Sequence, residues 1–171
     1  MVEPVLTDAS FWEQIKQNNL PDKLYNTAFY LTRSHHDAHD ICQETFLIGH
    51  RNINNFRGES SLSTYLYQVT INLCNKYHQK KKPGTTEEIN NIASTQSSPY
   101  ENTAVNEKCQ VIQMALNELP PEYRQVVILK DMENFSYQEI SEILNLSVQT
   151  VRTNLDNARN QLRIALKKII A

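Results

Sequence analysis

The sequence predicts an all-α protein made of two small helical domains joined by a flexible linker, the C-terminal one a helix-turn-helix domain. The chain has 171 residues but only 3 Gly and 6 Pro, fewer turn residues than β-proteins need. Apolar residues recur at intervals of three or four through most of it. Between the two helical regions, PGTTEEINNIASTQSSPYENTAVN has no Lys or Arg and too few large apolar groups to offset its ordering entropy. We therefore expect domains at 1–82 and 107–171 and a linker at 83–106.

The composition limits the classes of protein to which this chain can belong. No apolar stretch approaches the roughly 20 residues that a bilayer requires, and the N-terminus lacks a basic-then-apolar signal pattern. We expect a cytoplasmic protein with no direct membrane insertion. The three cysteines, Cys42, Cys74 and Cys109, are odd in number and form no CxxC pair. Buried reduced thiols are therefore expected, rather than disulfides or a thiolate metal site.

The first two helices are predicted from a capping residue and from the spacing of apolar residues. In SFWE, Ser10 can cap a helix and Glu13 can reach back to the cap. The apolar face of this helix is Phe11, Trp12 and Ile15. A second helix is predicted over about 22–33, with Leu24, Ala28 and Leu31 on one stripe.

A third helix is predicted over DAHDICQETFLIGHR, residues 37–51. Its inward face is Ala38, Ile41, Cys42, Thr45, Phe46 and Gly49. Its other face is acidic with one apolar side chain, and comprises Asp37, Asp40, Gln43, Glu44 and Leu47. That face is either plain solvated surface or a docking surface, and periodicity leaves both open.

NNFRGESS, residues 54–61, reads as a loop because it lacks period and contains Gly58, after which Ser61 starts a long helix. The inward positions of this helix are Leu62, Tyr65, Leu66, Val69 and Leu73. The predicted outward set is Thr64, Tyr67, Gln68, Ile71, Asn72, Asn75 and Lys76, followed by Lys80, Lys81 and Lys82. Lysines beside aromatics suit single-stranded nucleic acid, although a terminal lysine run can also simply complement the helix dipole.

The second domain ends in a helix-turn-helix pattern. A helix with Val111, Ala115, Leu116 and Leu119 is broken at Pro120 and Pro121, and the next helix ends near Glu133 and Asn134. Ser136 and Glu139 then form a capping box, Asn145 suits a left-handed turn, and Ser147 caps the last helix. This geometry places a second helix in the major groove, but a helical hairpin core looks similar.

Positive charge is scarce on that last helix, which offers Arg152, Arg159 and Arg163. A free regulator usually makes about 6 to 10 phosphate contacts. We therefore expect weak DNA binding by the chain alone.

Taken together, DAHDICQETF, FRGESS, STYLYQVTINLCNKY and LNELPPEYRQVVILKDMENFSYQEISEILNLSVQTVRTNLDNARNQLR resemble bacterial sigma factors of the sigma-70 family, extracytoplasmic-function (ECF) type. The resemblance covers about 22–82 and 110–166. It implies that 1–82 is a sigma region 2 domain and 107–171 a sigma region 4 domain. The implied function is to bind core RNA polymerase and direct promoter recognition, strand opening and transcription initiation, with no enzymatic activity and no cofactor.

The resemblance also implies partners and contact residues. The partners are core RNA polymerase, through its β′ clamp helices and β flap, promoter DNA and an anti-sigma factor. Core-polymerase contacts fall on Asp37, Asp40, Gln43, Glu44, Leu47 and Arg51. Contacts with the −10 element fall on Asn54, Asn55, Phe56, Arg57, Ser60, Ser61, Tyr65, Gln68, Asn72, Lys76 and Lys80. Contacts with the −35 element fall on Ser147, Gln149, Thr150, Arg152, Thr153, Asn157 and Arg159.

The chain departs from the family pattern on the last helix. Family members commonly carry several Arg and Lys where this chain has Asn154, Asp156, Asn157, Asn160 and Gln161. They also often have Trp in the place of Tyr65. The lack of Arg and Lys at these positions of the last helix weakens the predicted binding to the −35 element. Asp156 would sit near phosphate or accept from a cytosine amino group, and both readings stay open.

Other functions have less support in the sequence. His35 and His39 lie one helical turn apart, but no further His or Cys cluster completes a metal site. There is no Gly-rich phosphate loop and no nucleophile with a neighbouring base. Two alternatives to a sigma factor remain: an autonomous helix-turn-helix regulator, and an adaptor whose two domains bind only proteins.

Overall fold

A computed structural model describes residues 6–81 and 103–171, and all of the regular structure in these ranges is helical, which confirms the all-α prediction. The helices are α1 Asp8–Gln17, α2 Leu20–Thr32, α3 His35–Arg51, α4 Leu62–Lys80, α5 Thr103–Asn117, α6 Pro121–Val127, α7 Tyr137–Leu144 and α8 Val148–Ile170. A 3-10 turn, Ile53–Asn55, follows α3, and a π-helical segment, Ile128–Met132, continues α6.

The predicted linker, 83–106, lies largely outside the described residues. Helix α5 already begins at Thr103, so the last four positions of the predicted linker belong to a helix. The part of the chain before it, residues 6–81, is called the first half here, and residues 103–171 are called the second half.

In the first half, α2, α3 and α4 pack together and α1 closes the bundle against α2. The N-cap of α1 is Thr7, not Ser10 as predicted. The Thr7 side chain accepts a hydrogen bond from the Ser10 backbone amide, and the Ser10 hydroxyl at the third helical position accepts one from the Thr7 backbone amide. The sequence supports either cap, because Ser and Thr both accept such bonds. Phe11 and Ile15 are buried as predicted, whereas Trp12 is exposed.

Helices α3 and α4 approach each other closely at Gly49. A Cβ atom there would lie 2.6 Å from the Leu66 side chain and 3.4 Å from the Phe11 ring. One turn earlier, the buried hydroxyls of Thr45 and Thr70 are 3.1 Å apart and each also donates to its own helix backbone. The tight contact fixes the orientation of α3, which carries the predicted docking face.

In the second half, the capping predictions are confirmed. Ser136 and Glu139 form the capping box at the start of α7, and Ser147 accepts from the Thr150 backbone at the start of α8. Asn145 between them has φ 53°, the left-handed conformation expected of it. Because each of these signals acts within four residues, local sequence was enough to predict them.

The two halves pack against each other and share one hydrophobic core. Helix α4 of the first half contacts α7 of the second, and α2 contacts α6. This packing corrects the predicted outward face of α4, because Thr64, Tyr67 and Ile71 are buried. Helical periodicity predicts that these side chains lie on one stripe of α4. It carries no information on whether the second half covers that stripe.

The cysteine prediction was right at two of three positions. Cys42 and Cys74 are buried, and burial raises their thiol pKa to about 11 and about 12. Cys109 is exposed on α5, contrary to the expectation of a buried thiol. It precedes the apolar positions Val111, Ala115 and Leu116 in sequence and falls on the solvent side of that helix.

Candidate nucleic-acid interface

The helix-turn-helix surface is built by α7, a short turn and α8. Ile140 and Ile143 of α7 pack with Val151, Leu155 and Ala158 of α8, and all five are buried. In the turn, the Ser141 hydroxyl donates to the Leu146 carbonyl at 2.5 Å. The outer face of α8 is left to solvent.

All the residues predicted to contact the −35 element are exposed on that outer face. They are Ser147, Gln149, Thr150, Arg152, Thr153, Asn157 and Arg159. Polar groups here bond to near neighbours: the Ser147 and Thr150 hydroxyls are 2.7 Å apart, and Thr153 donates to the Gln149 carbonyl. The surface is therefore polar and accessible, as a groove-reading helix requires.

Two arginine side chains on the outer face of α8, Arg152 and Arg159, already interact with other residues of the protein. Arg159 makes a two-point ion pair with Asp131 of the π segment, at 3.1 and 2.5 Å. The Asp131 hydrogen bond is the main cause of the raised pKa of Arg159. The Arg152 guanidinium lies 5.1 Å from the centre of the Tyr137 ring, a cation–π contact. The free positive charge of this face is thus smaller than its arginine count suggests.

Asp131 and Tyr137 were missed as parts of this site. Asp131 is separated from Arg159 by 28 residues, and no local pattern links the two. Tyr137 is the first residue of α7, fifteen positions before Arg152. Only the packing of the π segment and α7 against α8 brings these groups together.

The second candidate surface combines the loop after α3 with α4. Asn54 and Asn55 lie in the 3-10 turn, which departs from the predicted irregular loop, and Gly58 has φ 71° as its position in a turn suggested. Phe56 packs against Tyr65, with the ring centres 5.7 Å apart. The other predicted −10 residues of the loop, Arg57, Ser60 and Ser61, are exposed or half-buried. Ser61 caps α4 as predicted.

Along α4 the predicted −10 residues are unequally accessible. Asn72, Lys76 and Lys80 are exposed, while Tyr65 and Gln68 are half-buried. Tyr65 accepts a hydrogen bond from Asn52, and Gln68 donates to the Glu142 carbonyl of α7 at 3.5 Å. The second half therefore borders this surface directly at Gln68.

The third candidate surface is the outer face of α3. Asp40, Gln43, Glu44, Leu47 and Arg51 are all exposed, and Leu47 retains 62% of its accessible area. A single large apolar side chain among acidic neighbours, on a helix held rigidly by its other face, suits a protein–protein contact.

Asp37 differs from the rest of that face. Its side chain is half-buried, accepts a hydrogen bond from Tyr77 of α4 and lies 3.8 Å from the Lys81 ammonium. Burial alone would raise the pKa of Asp37, but the bonds from Tyr77 and Ser34 outweigh it and lower the pKa. The structure thus gives Asp37 a role in fastening α3 to α4 that the sequence did not indicate.

The histidine pair considered for a metal has other partners. His35 lies 2.5 Å from the Tyr25 hydroxyl and stacks on Phe29 at 4.2 Å. His39 is exposed. Within residues 6–81 and 103–171, no cluster of three or more His, Cys, Asp or Glu is placed to hold a metal ion. Among the same residues, no helix combines the length and apolarity that crossing a membrane requires.

Comparison with known families covers both halves. Residues 19–83 match the family described as Sigma-70 region 2, and residues 109–162 match the family described as Sigma-70, region 4. The first match ends at α4 and includes the α3 face. The second contains α6, α7 and the part of α8 that carries the predicted −35 contacts.

Individual proteins agree with these matches. The chain is 33% identical over 159 residues to the ECF RNA polymerase sigma factor SigW of Bacillus subtilis, covering 86% of this chain and 85% of that protein. It is 32% identical over 146 residues to the RNA polymerase sigma factor YlaC of the same organism, with coverages of 82% and 84%. A solved structure, the sigma factor RpoE in complex with the anti-sigma factor NepR from Bartonella quintana, has the same fold. Its TM-score is 0.76 at 23% identity, over 92% of this chain and 96% of that one.

Proposed function

Because the chain belongs to the ECF sigma factors of the sigma-70 family, which direct promoter recognition and transcription initiation, we propose a division of that work among its three surfaces. The α3 face binds core RNA polymerase at its β′ clamp helices. The loop after α3 and the exposed side of α4 contact the −10 element. The outer face of α8 reads the −35 element, while the second half also meets the β flap.

The observation that carries this proposal is the exposure of a complete polar face on α8, opposite a buried apolar face. Seven predicted contact residues lie on the exposed side and none on the buried side. The geometry suits insertion into the major groove.

The low positive charge supports a reader that works only on the polymerase. With Arg159 paired to Asp131, the predicted −35 face keeps Arg152 as its unpaired cation, with Arg163 further along α8. Phosphate contacts supply most nonspecific affinity, so this face is too weakly charged to hold DNA alone. Docking on the polymerase would provide the missing affinity through effective concentration.

The acidic face of α3 supports docking on a basic partner surface. Exposed carboxylates at Asp40 and Glu44 flank Leu47, so charge would steer the encounter and the leucine would provide buried area. The remaining parts of the proposal follow from this role. The protein acts in the cytoplasm, has no enzymatic activity of its own, and is held inactive by an anti-sigma factor. The structurally similar RpoE forms a complex with the anti-sigma factor NepR, which supports a partner of this kind.

A gel-shift with and without core polymerase tests the proposal. The probe is the DNA upstream of the protein's own gene, followed by run-off transcription from the same fragment. A shifted complex and a transcript should appear only when both the chain and core polymerase are present. Specific binding by the chain alone would instead indicate an autonomous regulator, and the absence of DNA binding under both conditions would indicate a protein adaptor.

Replacing Asp131 with asparagine should strengthen promoter binding by the polymerase complex. Asp131→Asn removes the carboxylate that neutralises Arg159 and frees the guanidinium for a phosphate. Each phosphate contact adds about 0.9 to the slope of log affinity against log salt. We expect the slope to steepen by about one and the affinity to rise several-fold at low salt.

Fluorescence anisotropy of a labelled promoter fragment across a salt series measures both quantities. Glu107→Gln removes an exposed carboxylate from α5, away from the recognition face, and should leave the slope unchanged. Weaker binding by Asp131→Asn would mean that the ion pair positions Arg159 for DNA rather than withholding it.

A further inference from the structure

Asp156 is the single carboxylate of α8, a helix that otherwise carries apolar, neutral polar and cationic side chains. The sequence leaves two roles open for it, a place near phosphate or a hydrogen bond from a cytosine amino group. Two features of the structure bear on this choice. They are the position of Asp156 around the helix and the partners of the arginines next to it.

Asp156 lies close to the middle of the outer face of α8. The buried stripe of this helix contains Val151, Leu155 and Ala158. On the opposite side, residues spaced by four, three and four positions form one exposed line, because an α-helix has 3.6 residues per turn. The residues of this line are Gln149, Thr153, Asp156 and Asn160. In a helix that fills the major groove, such a line faces the base edges, whereas the flanks of the helix face the phosphates.

The arginines that could neutralise Asp156 are held by other groups. Residues three or four apart on a helix commonly form ion pairs. Arg152, four residues before Asp156, lies over the Tyr137 ring instead, and Arg159, three residues after it, pairs with Asp131. Within the two ranges that the structure describes, Asp156 makes no ion pair and no side-chain hydrogen bond. Its two oxygens are therefore free to accept hydrogen bonds from a ligand.

An unpaired carboxylate in the major groove requires a donor from the DNA. Without one it loses its hydration and is repelled by the phosphates. Two bases expose an amino donor in this groove, cytosine at N4 and adenine at N6. The adenine amino group lies beside N7, an acceptor that repels a carboxylate, whereas the cytosine edge presents its amino donor alone. Cytosine is thus the base that a free carboxylate at this position favours.

We propose that Asp156 is a specificity-determining residue, and that its carboxylate accepts a hydrogen bond from the N4 amino group of a cytosine in the −35 element. This inference rests on the proposed function of α8 and adds to it the base that this side chain selects. Guanine and thymine present acceptors in the major groove, so the same carboxylate disfavours them. The negative charge of Asp156 thereby contributes selectivity while it lowers affinity for other sequences.

The spacing along α8 also predicts where this cytosine lies. Asp156 follows Gln149 by seven residues, which corresponds to about 10 Å along a helix. Successive base pairs are about 3.4 Å apart. The cytosine should therefore lie about three base pairs from the one that faces Gln149. The preference applies to one position of the element and is not a general preference for DNA rich in G·C pairs.

Promoter binding by the complex of the chain with core polymerase tests this role of Asp156. The probes are fragments of the DNA upstream of the protein's own gene, with each base pair of the −35 element changed in turn to the other three. With the unmodified chain, one position should favour cytosine by about fivefold or more. Asp156→Ala should abolish the preference at that position alone. Asp156→Asn should move it to adenine, because an asparagine amide bonds to N6 and N7 together.

Glu122→Gln is the matched control, because it neutralises an exposed carboxylate on α6, outside the helix-turn-helix, and should leave every base preference unchanged. An unmodified chain without a cytosine preference, or an Asp156→Ala variant that keeps it, would overturn the proposed role. So would Asp156→Asn if it bound all probes more tightly, with a steeper salt dependence and unchanged base preferences, because that result would place Asp156 beside a phosphate.

The same measurements separate this inference from the proposed function. If the complex with the unmodified chain bound no probe specifically, the proposed reading of the −35 element would itself be wrong. A sequence-specific complex whose base preferences do not depend on Asp156 would refute only the role of this carboxylate.

Discussion

Replacing Leu47 with aspartate is expected to weaken binding to core RNA polymerase by about 30-fold or more, which corresponds to loss of a binding hot spot of about 2 kcal/mol. Leu47 is the large apolar side chain of the α3 face, with 62% of its area exposed. Docking would bury it, and an aspartate there would be desolvated among existing carboxylates. The direct measurement is a titration of the fluorescently labelled chain with core polymerase.

Stability should not change in this variant, because Leu47 makes little contact in the free chain. The thermal melt of Leu47→Asp should therefore overlay that of the unmodified protein. Ala9→Asp provides a matched control, since Ala9 is exposed on α1, off the α3 face, and the substitution adds the same charge. Equal polymerase affinity of Leu47→Asp and the unmodified chain would rule out the α3 face as the docking surface.

Replacing Arg124 with methionine is expected to lower the free energy of unfolding by about 3 kcal/mol or more. The Arg124 side chain is only 5% exposed and donates to three carbonyls at the end of α5. These are the carbonyls of Leu116 at 2.8 Å, Asn117 at 3.3 Å and Leu119 at 3.0 Å. The last carbonyls of a helix lack partners within the regular helical pattern, so the guanidinium acts as a cap delivered from α6, and at Leu116 it adds to the bond from the Leu119 amide.

Burial, and then the nearby Arg33, lower the pKa of Arg124 to about 10, so the side chain remains charged at neutral pH. Methionine would fill similar volume but donate to none of the three carbonyls. The Leu116 carbonyl would keep the Leu119 amide and the Asn117 carbonyl would keep the Arg33 guanidinium, whereas the buried donor to the Leu119 carbonyl would be lost. Urea unfolding followed by circular dichroism should show the lower free energy of unfolding, and a thermal melt should show a midpoint temperature lower by about 6 to 12 °C.

Arg163→Met is the control for this prediction, because Arg163 is exposed on α8 and its removal should change stability by less than about 0.5 kcal/mol. The free energy of unfolding of Arg124→Lys should lie between those of Arg124→Met and Arg163→Met. An ammonium keeps the charge, but it cannot donate to three acceptors as the planar guanidinium does. A loss below about 1 kcal/mol in Arg124→Met would show that water replaces the cap.

The helical elements and most of their caps follow from local sequence, although the cap of α1 is Thr7 and not the predicted Ser10, and α5 begins within the predicted linker. Ser61, Ser136 and Ser147 cap the helices predicted for them, and Asn145 takes the left-handed turn, because capping and turn formation involve neighbours within a few residues. The exposed polar face of α8 was also predictable, since helical period alone separates it from the buried stripe.

Which of the predicted outward surfaces remain exposed depends on packing between residues far apart in the sequence. Tyr67 was predicted to face solvent with Gln68, yet Glu133, 66 residues away, buries and bonds it. Arg159 is predicted to contact DNA, and the structure adds that Asp131 pairs with it. In both cases the deciding partner comes from a distant segment, and the period of one helix carries no information on what packs against it. Residues close in sequence determine where each helix forms. Packing between distant segments determines which side chains of the candidate surfaces are exposed and which charges are paired.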